Sequence, residues 1–274
     1  MPKAKTNRAL NKARVNILNG EYEQELLVVE QAAQAGDVTA SASLVYLYSY
    51  LGRWKDLLEP AVATLNEIEV YFTANVFDET VMALATAAQK TGDWAGILSY
   101  LQKNIKIKTL HNREQKVLKK LFTYLKAKGK TEDKVFPIVD MPESSPAEKA
   151  AHYRNAVDNV FEYKPKLKDP KKKVELEGHL LALAIAFDQD DEIVRRFNPK
   201  NMYHGYEEAI RVARIHAKNN KPDLAWEIIR DNVQRWWPVD RVQLMPMEPI
   251  SEDCFADFMT EENCLKLLKT PKKK

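Results

Sequence analysis

Glu175, Glu177 and His179 recur at i, i+2 and i+4. On a helix this spacing sets Glu175 and His179 on one face, where a carboxylate and an imidazole could share a metal ion. The pair is incomplete as a ligand shell, because a zinc site takes three or four protein donors, so the segment reads as a charged surface helix. Asp188, Asp190, Asp191 and Glu192 suggest a calcium loop but lack its glycine and its closing glutamate. Carboxylates in that run suit the start of a following helix better. The other histidines, His111, His152, His204 and His216, are scattered, and Cys254 and Cys264 lie ten residues apart with no further soft ligand beside them. They are expected to form neither a disulfide framework nor a zinc site. A Gly-x-Ser-x-Gly elbow, a glycine-rich phosphate loop, a His-Glu-x-x-His pair and a Cys-x-x-Cys pair are all missing. The expectation is a chain without a catalytic centre, cofactor, metal or small-molecule substrate; an enzyme with no recognisable motif is the alternative.

Cations raise a second chemistry. Net charge is only +3, from 42 Lys and Arg against 39 Asp and Glu, yet the charges are segregated. Residues 16–100 carry three bases and twelve acids, a net of −9, whereas residues 101–134 carry eleven bases and three acids, a net of +8. Lys164–Lys173 adds a further basic run. Phosphate contacts need such cations. No nucleic-acid module or stacking aromatics accompany them, so weak, sequence-indifferent binding through the Lys-rich middle is the nucleic-acid alternative, and specific recognition is not expected.

The elements that would position these side chains are helices. Eight glycines in 274 residues are about half the usual share, which disfavours hairpin-rich β folds. Hydrophobic residues make up 45% and charged residues 30%, an ordinary globular balance that excludes a disordered or collagenous chain. No apolar stretch approaches the length that spans a bilayer, and the basic start, Lys3 to Arg8, has no apolar core after it. A cytoplasmic, bacterial protein is expected.

Three segments share a pattern of glycine, any residue, an aromatic, and leucine six after the glycine. They are Gly20 with Tyr22 and Leu26, Gly52 with Trp54 and Leu58, and Gly92 with Trp94 and Leu98. Apolar residues at helical spacing precede the second and third, with Leu44, Leu47, Tyr48 and Leu51, then Phe77, Val81, Leu84 and Ala88. Each glycine is expected to end one helix in the left-handed region, and each aromatic to be a buried wedge inside a helical hairpin. Further hairpin turns are expected at Asp188–Asp191 and Asn219–Pro222. The only β-like run is Val135–Val139, interrupted by Pro137.

The expected organisation is helical hairpins over 1–130, a proline-rich connection at 131–146, hairpins over 147–233, and a cap with a basic tail over 234–274. Ser145, Pro146 and Glu148 make a capping box that opens the helix after the connection. The cap reads as an extended segment wrapping back over the array, followed by two short helices capped by Ser251 and Thr260.

The Gly-x-aromatic turn between paired helices resembles the tetratricopeptide repeat over roughly residues 5–110. Glycine spacings here are 32 and 40, where that family repeats every 34. Where the family favours alanine five after the glycine, this chain has Glu25, Leu57 and Ile97. The resemblance implies an all-α solenoid of helical hairpins, an α-α superhelix, with a non-catalytic surface for a protein or peptide.

If Leu44, Leu47, Tyr48 and Leu51 face the core, Thr39, Ser43, Tyr46 and Tyr50 form a stripe on the other side of that helix. Asn75, Glu79 and Met82 do the same in the helix carrying Phe77. The two stripes are expected to adjoin as an acidic, tyrosine-bearing groove, with Ser43, Tyr46, Tyr50, Asn75, Glu79 and Met82 as partner-binding residues. A basic protein partner suits such a groove, as for a bacterial immunity protein against a basic toxin domain, or an adaptor for a basic peptide. Burial of both tyrosines under another element is the competing expectation.

Overall fold

The fold is described from a computed structural model covering residues 3–67, 72–107, 110–129, 145–163 and 170–272. All regular structure among them is helical. The helices are α1 (Lys3–Leu18), α2 (Tyr22–Gln34), α3 (Val38–Tyr50), α4 (Leu58–Asn66), α5 (Ala74–Thr91), α6 (Trp94–Asn104) and α7 (Asn112–Lys126), then α8 (Pro146–Tyr163), α9 (Pro170–Ala186), α10 (Asp190–Arg196), α11 (Tyr206–Lys218), α12 (Pro222–Asn232), α13 (Glu248–Ser251) and α14 (Glu261–Lys269). The all-α class is thus as expected. The β-like run at Val135–Val139, most of the connection at 131–146 and Lys164–Asp169 of the basic run lie outside the described residues.

The expected turns are present, and their physical cause is visible. Gly20, Gly52 and Gly92 have φ of +89°, +67° and +68°, a left-handed conformation in which side chains other than glycine's are strained. In the later hairpins Asp188 and Asn220 take the same role at φ of +52° and +55°, as short polar side chains can. Helix starts follow the capping chemistry. Asp37 accepts from the Thr39 and Ala40 amides, Ser145 and Glu148 exchange hydrogen bonds, Pro222 opens α12, and Thr260 accepts from the Asn263 amide. Ser251 departs from expectation, since it closes α13 and its hydroxyl donates back to the Met247 carbonyl.

The chain divides into two compact units, Met1–Val139 with Trp237–Lys272, and Asp140–Trp236. In the first, consecutive helices from α1 to α7 pack on one another, and alternate helices also adjoin in two rows, α3 with α5 and α5 with α7, and α4 with α6. Of the 234–274 stretch expected as a cap wrapping back over the array, residues 237–272 belong with the first unit, where α13 packs on α5 and α14 on α3. The reason is hydrophobic. Val242, Leu244, Met245, Met247, Ile250 and Phe255 need cover, and α3 offers a wholly uncharged surface.

In the second unit α8, α9, α10, α11 and α12 pack as successive neighbours. Its core gathers Tyr153, Leu181, Ala184, Ile193, Val212 and Ile215.

Candidate functional site

The two stripes predicted on α3 and α5 do adjoin. The Tyr46 hydroxyl donates to the Glu79 carboxylate. What lies over them is the chain itself. The Gln243 side-chain amide donates to both Glu79 oxygens, at 2.9 and 2.8 Å. The Tyr50 hydroxyl donates to the Pro246 carbonyl at 2.7 Å, and Ser43 Oγ lies 3.2 Å from the Val242 carbonyl while accepting from Arg14 Nε at 3.0 Å. Ser43, Tyr46 and Tyr50 are fully buried, Glu79 and Met82 are half-buried, and only Asn75 is exposed. The tyrosine stripe therefore has no accessible surface for a partner. A uniformly uncharged helix buries every face, and from Ala40 to Tyr50 no side chain of α3 escapes burial.

Electrostatics fit an interior polar network. Burial, and then the neighbouring Glu79 carboxylate, raise the Tyr46 phenol well above its ordinary pKa. Burial also raises the Glu79 carboxyl, while the Gln243 and Tyr46 hydrogen bonds pull it the other way. Arg14 is lowered to about 10 by burial. All three shifts follow from desolvation of the charged form.

The candidate metal and acidic groups resolve as surface chemistry. Exposed His179 and half-buried Glu175 lie on α9, and among the described residues no group of three or more His, Cys, Asp and Glu side chains is placed to hold a metal. Asp188 pairs with Lys149 at 2.7 Å and Arg211 at 2.6 Å, and Glu192 with Arg195 and Arg196 at 2.6 and 2.8 Å. Cys254 and Cys264 are not joined in a disulfide, and Cys264 is buried. Trp54 and Trp94 correct a further expectation. Both are half-buried rather than enclosed, and Trp94 packs edge-on against Tyr124, ring centroids 5.8 Å apart. The enclosed positions are Leu57 and Ile97, five residues after each glycine.

Among the described residues, two accessible surfaces bear on binding. On α7, Lys116, Lys119 and Lys126 are exposed along one face, at i, i+3 and i+10, opposite buried Val117, Leu121 and Leu125. In the second unit the turn from Asn198 to Gly205 turns Met202 (81% exposed) and Tyr203 (50% exposed) to solvent. Sequence reasoning missed this turn, because no motif marks it. The usable signal is Met-Tyr, two apolar side chains outside any helical period, between Asn201 and His204.

Comparison with protein families, curated proteins and solved structures finds no match to this chain. Among the described residues no helix is long and apolar enough to cross a membrane. What fold and site define together is an all-α protein of stacked helices whose predicted groove is filled from within.

Proposed function

We propose that this chain is a tetratricopeptide-like repeat of helical hairpins, a solenoid that works by binding another protein and has no catalytic centre. The observation that carries the reading is the two-row packing of the first unit, α3–α5–α7 against α4–α6. Stacked hairpins produce that pattern, and such stacks present extended surfaces to partners. A basic partner steered into the tyrosine groove would need that groove open. An accessible charged row on this unit is the basic face of α7, which selects a partner with an acidic face. An immunity protein neutralising a toxin domain and an adaptor in a bacterial cytoplasm are the two concrete forms. A toxin gene directly beside this one would select the first.

Affinity capture from the native host tests the face. Lys116→Glu, Lys119→Glu and Lys126→Glu together abolish partner recovery while leaving helicity intact, and Tyr46→Phe leaves recovery unchanged. Recovery that survives the charge reversal removes α7 as the contact. If the retained material is nucleic acid, released steeply by salt and without sequence preference, the lysine row is a phosphate-binding surface instead.

A further inference from the structure

The turn from Asn198 to Gly205 is held by an unusual number of polar contacts for a segment that displays apolar side chains. Asn201 and His204 are 6% and 1% exposed. The Asn201 amide donates to the Val174 carbonyl of α9 at 3.2 Å and its oxygen accepts from the Tyr203 amide at 2.9 Å. His204 Nδ1 accepts from the Asn198 amide at 2.9 Å, and its ring stacks on Phe197 with centroids 5.9 Å apart. Arg235 donates to the His204 carbonyl at 2.7 Å and also to the Pro199 carbonyl. Buried, satisfied polar groups of this kind fix one backbone geometry. The exposure of Met202 and Tyr203 is therefore a property of the fold, not of a slack loop.

The two side chains do not stand alone. A Cβ at Gly178 would come within 2.8 Å of Tyr203 Cβ, so the glycine lets Tyr203 lie close against α9. Val174, four residues before Gly178 and on the same helix face, is 38% exposed. Met202, Tyr203 and Val174 thus make one apolar strip. Exposed cations bracket it, Lys171 on the Val174 face of α9 and Lys200 two residues before Met202.

We infer that this strip is a second docking surface, for an acidic protein segment that carries an apolar side chain. Resting on the binding role proposed above, it adds a site on the other unit. Charge complementarity sets the partner's sign, and the strip supplies the anchor, with Met202 adaptable in shape and Tyr203 rigid. Glu177, on the same helix, pairs with Arg196 at 3.1 Å, which offsets its charge within the fold, and a bilayer is the alternative occupant that the test addresses.

The test uses the full chain and three probes: an acidic peptide containing leucine and phenylalanine, a charge-matched peptide with serine at those positions, and vesicles of phosphatidylserine and phosphatidylcholine. The apolar acidic peptide shifts the backbone amide signals of Val174, Gly178 and Lys200–His204. Met202→Ser with Tyr203→Ser weakens it about tenfold or more, as does Lys171→Glu with Lys200→Glu, with thermal stability unchanged. Equal binding of the serine peptide, or undiminished binding by the Met202 and Tyr203 variant, overturns the inference, and so does binding of vesicles but not of peptide. Peptide binding lost only on reversal of the α7 lysines also overturns it while sparing the proposed binding role. Host capture that recovers no partner at all overturns that role as well.

Discussion

Tyr46 on α3 donates its phenolic proton to Glu79 on α5, and Gln243, 164 residues beyond Glu79, closes the other side of the same carboxylate. A buried carboxylate served by such donors loses much when one is withdrawn, because hydrogen bonds to charged groups contribute about 1.5–3 kcal/mol each. Tyr46→Phe and Gln243→Ala are each expected to lower unfolding free energy within that range. Their double-mutant cycle in urea should show non-additivity, since both act on one group. Two additive effects would mean that Glu79 does not join them.

Gly20 offers a sharper contrast. At φ +89° a Cβ there would collide with the Lys269 carbonyl oxygen of α14, whereas at Gly36, φ +85°, it meets nothing within 4 Å. Both alanine variants carry the left-handed strain of about 1–2 kcal/mol. Gly20→Ala must also displace the end of α14, three residues after which the Lys272 amide donates to the Leu18 carbonyl at 2.8 Å. Its melting temperature should fall clearly below that of Gly36→Ala, and amide exchange should quicken over α14. Equal melting temperatures would place α14 away from the α1–α2 turn.

Half-burial revises what the tryptophans contribute. Full enclosure would make truncation to alanine cost about 3–5 kcal/mol. For Trp54 and Trp94 a loss of about 1–3 kcal/mol is expected, in proportion to the area they cover. Leu57→Ala and Ile97→Ala, at the enclosed positions, should cost as much or more, about 2–5 kcal/mol. Urea midpoints for the four variants decide the order.

His204 ties acidity to the turn that displays Met202. Burial pushes its pKa below the ordinary imidazole value, with the Glu177 and Glu208 charges and the Asn198 amide opposing. A base depressed in the folded state contributes stability that is complete above the unfolded pKa, about 6.5, and is lost as pH falls through the folded one. Unfolding free energy should therefore decline below about pH 6.5, and the imidazole signal of His204 should titrate later than a free histidine. At that point the Nδ1 proton expels the Asn198 amide, and the amide signals of 198–204 should broaden together. A His204 titration at the ordinary value would show the ring to be solvated.

The hairpin turns were legible because positive φ restricts residue choice: glycine at 20, 52 and 92, and Asp188 and Asn220 where side-chain polarity substitutes for it. Helix starts at Ser145, Pro222 and Thr260 were legible for the same local reason. The sidedness of α3 was misjudged, although the signal was there. Val38 to Tyr50 holds no charged residue, so a solvent face had nothing to make it. That Gln243 and Pro246 supply the cover was not legible, since helical periodicity carries no information about partners two hundred positions away. The Asn201–His204 bracing escaped for a related reason, in that a buried polar turn has no period at all.

The cover over α3 also sets an order of events in time. Ser43 waits for Val242 and Tyr50 for Pro246, pairings that span 199 and 196 residues, and contacts of such separation form late. A ribosome must finish the entire second unit before the first can close, so the nascent chain carries an unroofed α3 and α5 until Val242 to Pro246 have emerged. Until then the missing piece can equally be donated by a neighbouring copy emerging from the same message, because an identical segment fits an identical vacancy.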